Sequence, residues 1–380
     1  VMDQEDSDIT FDKEGICNHC QEFTEKEKRR LTEKKNLTAI IQEIKKSKGE
    51  YNCLLGMSGG VDSSLCLHYL MGLGLKPLAF SVDNGWNSKE SDENIMRLVE
   101  GLKVPFYRWV IDIPKFRELQ IAFIKSGTAN IEIPTDHILM ATTYQMAIRY
   151  GIRHIISGGN IATEGIMPKS YGYEAKDLTH IKAIYRIFTE KKLEGLPTIS
   201  LWQYLYYRFF KRIKIINLLD FFDYNRQKAI QLLSEQFGYK PYGKKHCESL
   251  FTQWFQNYYL PQKFGLDKRK PHFSSLINSG QMTREEALKQ LNKSLEYPKL
   301  DFKTDYPKKS YKDYPNSEWT WSLLSEIFKY ANTYYRRTKG FLYFLDKIFE
   351  GDSKCRNCSV RQSGGRGRHN CSGRSRFEQH

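Results

Sequence analysis

Ser58-Gly59-Gly60-Val61-Asp62-Ser63-Ser64 is the segment of this 380-residue chain whose residue types and spacing carry the clearest chemistry. It follows a short apolar run that ends at Met57 and it opens a helical pattern. Two adjacent glycines let backbone approach an anion closely. Hydroxyls and the free N–H groups of a helix start can then cradle phosphate, assisted by the helix dipole. Asp62 does not suit phosphate alone, because a carboxylate beside phosphate is repelled. A Mg²⁺ ion bridging Asp62 and the phosphates resolves the conflict. The segment is not the GxxxxGK[ST] pattern, since no Lys follows its second glycine. The plain alternative, a glycine turn with an Asp/Ser helix cap, is the weaker one in a strand–turn–helix setting.

Cys17-x-x-Cys20 has the spacing of a metal-ligand pair, but one pair cannot complete a tetrahedral Zn²⁺ site. A second pair, Cys355-x-x-Cys358, could join it or could sit in a loose tail. Cys53 and Cys66 read as small core residues. Eight cysteines, partly paired as CxxC, point to reduced thiol or metal chemistry in a cytoplasmic protein rather than to a secreted disulfide framework.

Four apolar runs must position the loop. Tyr51–Met57, Lys76–Val82, Phe106–Ile111 and Arg153–Ser157 read as strands. Helical spacing over Asp62–Met71, Ser88–Leu102 and Asp136–Tyr150 separates them. Strands alternating with helices predict an α/β fold with a parallel sheet, whose ligand crevice lies outside the strand C-termini. Glu25–Lys48 fits an amphipathic helix. From about Lys176 the strand signals fade, and Leu201–Phe222, Tyr224–Phe237, Glu248–Tyr259, Arg284–Leu295 and Ser322–Tyr335 read as helices, with Thr283 and Glu286 forming a capping box. The expected organisation is a CxxC segment and helix over 1–48, a nucleotide-binding domain over 49–190, a mostly helical domain over 191–350, and a basic, disordered tail over 351–380.

The chain carries 59 Lys and Arg against 44 Asp and Glu, a net charge of +15. Seven of these basic residues lie in Ser353–His380, beside a single acid. Such a surface implies anionic partners: nucleotides, nucleotide-sugars, nucleic acid or acidic lipid. Aromatic residues make up 14%, which argues against a disordered chain. The most apolar stretch, Leu201–Phe222, contains four basic residues and cannot span a bilayer. The polar, acidic start of the chain does not resemble a signal peptide.

Ser58–Ser64 resembles the PP-loop of ATP pyrophosphatases, the superfamily of GMP, asparagine and argininosuccinate synthetases. Further segments narrow the resemblance: Ser81-Val82-Asp83-Asn84-Gly85-Trp86, Pro134-Thr135-Asp136-His137, Ser157–Gly165, Tyr242–Ser249, Lys263–Ile277 and Ser279–Leu288. Together they are similar to the N-acetyl sugar amidotransferases of bacterial surface-polysaccharide (O-antigen) synthesis, over about residues 1–350. The Lys263–Ile277 block carries most of that specificity.

The resemblance implies an ATP-dependent, AMP-forming enzyme with ATP and Mg²⁺ at the loop. An acetamido group of a nucleotide-linked sugar is adenylated on oxygen, and ammonia displaces AMP to leave an acetamidino group. Ammonia would come from a glutaminase subunit, with a cyclase-type subunit as its channel. A homodimer is left open, and nucleic acid is not expected as a partner. Met57, Ser58, Gly59, Gly60, Asp62, Ser63, Ser64, Gly158, Gly159 and Asn160 would contact ATP, and Asp83 would accept from its ribose or adenine. Lys245, Lys263, Lys268 and Arg269 would neutralise phosphate charge, although any one of them could be a solvated surface residue. His137, His246 and His272 could position the sugar, shuttle a proton or be structural. Asp136 or Glu248 could take a proton from ammonia. Relatives carry a further CxxC ahead of the first, so the resemblance implies a Cys₄ zinc site that includes Cys17 and Cys20. The competing expectation is a PP-loop tRNA-modifying enzyme of lysidine or thiouridine synthase type, favoured by the basic charge and by Lys211-Arg212-Ile213-Lys214. Sulfur transfer would need a cysteine near the loop, and no clear one is present.

Overall fold

Short apolar runs bounded by turn residues give five strands, and longer 3.6-residue patterns give the helices around them. The computed structural model describes residues 1–171, 174–242, 248–298 and 300, all within one contact unit, Val1–Asp313. Two helices come first, α1 (Asn18–Glu33) and α2 (Leu37–Lys45). The alternating part follows as β1 (Cys53–Gly56), α3 (Val61–Gly72), β2 (Pro77–Asp83), α4 (Lys89–Gly101), β3 (Phe106–Val110), α5 (Ile113–Ser126), α6 (Ile133–Arg149) and β4 (His154–Ser157). Beyond it lie α7 (Ile161–Glu164), α8 (Leu178–Thr189), α9 (Leu201–Leu205), β5 (Lys214–Asn217), α10 (Arg226–Phe237), α11 (Leu250–Trp254), α12 (Leu260–Phe264), α13 (Arg269–Asn278) and α14 (Arg284–Leu291).

The sheet runs β3-β2-β1-β4-β5 and every pairing is parallel. Strand order reverses direction between β1 and β4, where open α/β sheets leave a crevice for ligands. Side-chain alternation splits the core into two apolar layers. Leu54, Leu78, Phe80 and Val82 pack on α5, α6 and α8. Cys53, Leu55 and Ala79 pack on α2, α3, α4 and α10. Burial of the central strands on both faces accounts for their near-continuous apolar sequence.

The four expected strands and the helices between them are present, as is the Thr283–Glu286 capping box. The stretch 201–222 is not the single helix its composition suggests. It forms α9, a π-helical turn over Tyr206–Phe210, strand β5 and a 3-10 turn over Leu218–Phe221. Arg212 has a left-handed backbone (φ 56°), which stops the helix, and the β-branched pair Ile215-Ile216 then suits a strand. The parallel sheet therefore extends beyond residue 190. The region 25–48 is two helices joined by a 3-10 turn. The expected helix 322–335 and the basic tail lie outside the described residues.

Candidate active site

Backbone geometry alone explains most of the loop after β1. Gly59 has φ +76°, and a Cβ there would lie 2.3 Å from the Ser91 carbonyl oxygen, so no other residue fits. The Gly60 N–H donates to Ser58 Oγ at 3.2 Å, and Ser63 Oγ donates to the Gly60 carbonyl at 3.2 Å. At the end of β4, a Cβ on Gly158 would meet the Ser63 nitrogen at 3.1 Å. The absence of a side chain there lets β4 press against the N-terminus of α3, across the reversal of strand order. A pocket of about 230 Å³ opens at this point, walled by Ser58, Gly60, Asp62, Ser63, Gly158 and Gly159.

Charged side chains complete that pocket. Asp62 accepts a short hydrogen bond from the Tyr224 hydroxyl. Burial, reinforced by the Asp62 carboxylate, pushes the Tyr224 phenol far up, so it remains a donor. Arg226, Glu164 and Glu248 also line the pocket. Glu248 is fixed by its neighbours: its carbonyl accepts from the Ser88 N–H at 2.8 Å, and its Oε1 would stand 3.2 Å from a Cβ on Gly60. Among the described residues no group of three or more metal-binding side chains converges. The carboxylates and hydroxyls here suit Mg²⁺ only where phosphates supply further oxygens, which is its usual mode of binding.

A second cavity of about 740 Å³ adjoins the first, and the two share Gly56, Ser58, Glu164 and Glu248. Met57, Phe80 and Val82 give it an apolar wall. The opposite wall carries Glu132 and Asp136, one turn apart at the start of α6, together with Lys268 and His272. Burial raises both carboxyls. The Asp136 charge raises Glu132 further, and Lys268 pulls both acids back. Burial also lowers the Lys268 ammonium, against the pull of the two acids. Glu132 accepts from the Thr252 hydroxyl, and His272 Nδ1 lies 2.9 Å from the Thr163 carbonyl. The site thus has a phosphate-sized end built from backbone and a wider end with two carboxyls held above their ordinary range.

Of the residues expected from sequence, Met57, Ser58, Gly60, Asp62, Ser63, Gly158 and Gly159 come together around the two cavities, with Gly59 shaping the turn. Asp136, Lys268, Glu248 and His272 meet across the wider cavity. Others have different work. His137 is buried, with Nδ1 donating to the Ala175 carbonyl at 2.7 Å and Nε2 accepting from the Ile199 N–H at 3.2 Å, so both ring nitrogens serve backbone. Asn160 caps α7, accepting from the Thr163 N–H and hydroxyl. Arg269 is bound to Asp267 and donates to the carbonyls of Gln290, Leu291 and Lys293, which leaves no free edge for phosphate. Asp83 accepts from the Gly85 N–H in a turn. Ser64 is fully buried, and Lys263 lies over the Tyr259 and Phe264 rings; neither lines the two cavities. Lys245 and His246 lie outside the described residues, as do Cys355 and Cys358.

Cys17 and Cys20 stand with their sulfurs 3.5 Å apart at the start of α1, two ligands with no third among the described residues. Glu132, Tyr224 and Arg226 escaped sequence reasoning, and Glu164 enters it only as part of the Ser157–Gly165 segment. Glu132 stands four residues before Asp136, a spacing that marks one helix face. Tyr224 and Arg226 reach the loop only through tertiary packing.

Sheet order and loop geometry define the class: an α/β protein with a PP-loop fold. Within that class, residues 248–306 match the family described as LPS biosynthesis protein WbpG-like, C-terminal domain. That segment supplies Glu248, Thr252, Lys268 and His272 to the cavity. An uncharacterized protein of Methanocaldococcus jannaschii, MJ1599, is 22% identical over 286 residues, 75% of this chain and 88% of that protein. The 7-cyano-7-deazaguanine synthase of Zymomonas mobilis is 27% identical over 143 residues, 33% of this chain and 56% of the relative. Among solved structures, an NH3-dependent NAD synthetase from Campylobacter jejuni covers 60% of this chain and 99% of its own, at 20% identity and a TM-score of 0.28. At that score the fold assignment rests on strand order and loop geometry.

Proposed function

We propose that the chain is an ATP-dependent amidotransferase that turns an acetamido group of a nucleotide-linked sugar into an acetamidino group. One observation supports this reading: the pocket at the glycine loop shares its wall with the wider, acid-lined cavity, to which the WbpG-like segment contributes. ATP laid across both would have its β- and γ-phosphates at Ser58–Ser63 and its α-phosphate at the junction near Glu164 and Glu248. Mg²⁺ held by Asp62 and the phosphates would supply the charge neutralisation that lets pyrophosphate leave.

The amide oxygen attacks the α-phosphorus and pyrophosphate departs. Adenylation gives a poor electrophile a good leaving group. Ammonia then adds to the imidate carbon, AMP leaves with the former amide oxygen, and a nitrogen-borne proton passes to a carboxylate. Asp136 fits that task, because it is raised less than Glu132, which burial and the Asp136 charge push up together. Glu132, held neutral more strongly, would act as a hydrogen-bond donor beside it. Ammonia would arrive from a partner glutaminase, through a cyclase-type subunit.

The test is turnover of ATP with ammonium salt and a panel of acetamido and diacetamido nucleotide-sugars. The expected result is sugar-dependent AMP and pyrophosphate, with a product one mass unit lighter as NH replaces O. AMP release with bulk tRNA but with no sugar would move the assignment to RNA modification.

A further inference from the structure

The helical segment 201–210 has two faces of opposite character. Tyr204 and Tyr207 turn inward and pack on the Tyr144 ring, with centroids 5.6 and 5.9 Å away. The other face is apolar and uncovered among the described residues: Trp202 is 74% exposed, Tyr206 46% and Phe210 78%. These three recur every four residues, and the Tyr206 and Phe210 rings stack at 5.6 Å. Ile215, on the adjacent edge strand β5, is also exposed. Nothing in the loop chemistry or in the cavity uses this face.

Charge decides what would cover it. From Ser200 to Asn217 the chain has four cations, Arg208, Lys211, Arg212 and Lys214, and no Asp or Glu; Lys214 pairs with Glu43, which leaves three for a partner. Lys211 and Arg212 are exposed at the end of the aromatic stripe, with the Lys211 ammonium 5.7 Å from the Tyr206 ring centre. Exposed Trp and Phe rimmed by Lys and Arg match the boundary of an anionic bilayer, where rings enter the headgroup layer and cations meet lipid phosphates. No described helix is long and apolar enough to cross a membrane, so contact would be with the surface. We propose that the 202–215 face is a peripheral docking surface for anionic lipid, independent of the catalytic cavity.

The test is co-sedimentation of the full chain with phosphatidylcholine vesicles, with and without phosphatidylglycerol. Binding is expected only with phosphatidylglycerol, and salt should weaken it. The variant Trp202→Ser/Phe210→Ser should lose on the order of tenfold in partition for each ring removed, by the apolar area withdrawn from water. Its melting transition and ATP turnover should stay near wild type, since neither residue lines the cavity. Lys211→Ser/Arg212→Asn is a second variant that leaves the rings in place, Asn being tolerant of the left-handed backbone at 212. It should lose about fivefold per charge. No binding to phosphatidylglycerol vesicles, or equal binding by the second variant, overturns the proposal. Self-association that the same substitutions abolish, without vesicle binding, would assign the face to a second copy of the chain.

Discussion

The two ends of the cavity are built by different means. The phosphate end is local: Ser58–Ser63 follow β1 directly, and two glycines bring backbone where side chains would collide. The acid end is assembled at long range, with Glu132 and Asp136 coming from α6, and Lys268 and His272 from a segment more than 130 residues later. Backbone cradles hold whatever carries phosphate, so the first end defines a broad class of proteins. Side chains brought together from distant elements choose the substrate, so the second end defines the particular chemistry. Substitutions at the first end should therefore remove every ATP-dependent activity. Those at the second should alter acid–base behaviour while leaving nucleotide binding in place.

The largest effects are expected at the phosphate end. Gly59→Ala places a methyl group against the Ser91 carbonyl on a backbone that already favours glycine. Sugar-dependent AMP release should fall below about a thousandth of wild type, with ATP binding lost in calorimetry. Asp62→Asn should cost about 10²–10³-fold in kcat while ATP still binds, which separates charge from shape. An Asp62→Asn enzyme with normal turnover would remove this residue from the chemistry.

At the acid end, Glu132→Gln should lower kcat about 10²-fold with little change in ATP affinity. It should also raise the melting temperature at neutral and alkaline pH. The carboxyl of Glu132 is higher in the folded chain than in the unfolded one. Its contribution to stability is therefore full below the ordinary carboxylate range and is lost as pH climbs through the raised folded value. A neutral Gln cannot lose it. Melting curves at several pH values that run parallel for the two proteins would contradict the raised carboxyl.

Lys268→Met gives a smaller and more diagnostic change. Without the ammonium, Asp136 rises further, so the acid limb of kcat against pH should move up by about one pH unit or more. An unmoved limb would uncouple Lys268 from the base. The smallest effect on rate is expected at Arg269→Ala. This guanidinium serves Asp267 and three helix-end carbonyls, so about 1–3 kcal/mol of stability should go while turnover per folded molecule stays within about threefold. A selective loss of pyrophosphate release would return Arg269 to the phosphates.

Legibility in the sequence follows the same divide. The strands and the loop were readable because apolar runs, glycines and a helix start lie within a few residues of one another. The acid end is half readable: Asp136 and Lys268 stand out by type and motif, whereas Glu132 does not, although it stands one turn before Asp136. His137 and Arg269 illustrate the limit. Their types suit catalysis, yet one is surrounded by backbone groups and the other by helix ends, and only tertiary packing decides this. β5 was hidden because its residues follow an aromatic helical turn without a glycine or proline to mark the break.

The most direct measurement follows an ¹⁸O label placed in the acetamido oxygen of the sugar substrate during turnover with ATP and ammonia. The expected result is ¹⁸O in AMP, unlabelled pyrophosphate and an acetamidino product free of label. Label retained on the sugar, or ADP and phosphate in place of AMP and pyrophosphate, would contradict attack of the amide oxygen on the α-phosphorus.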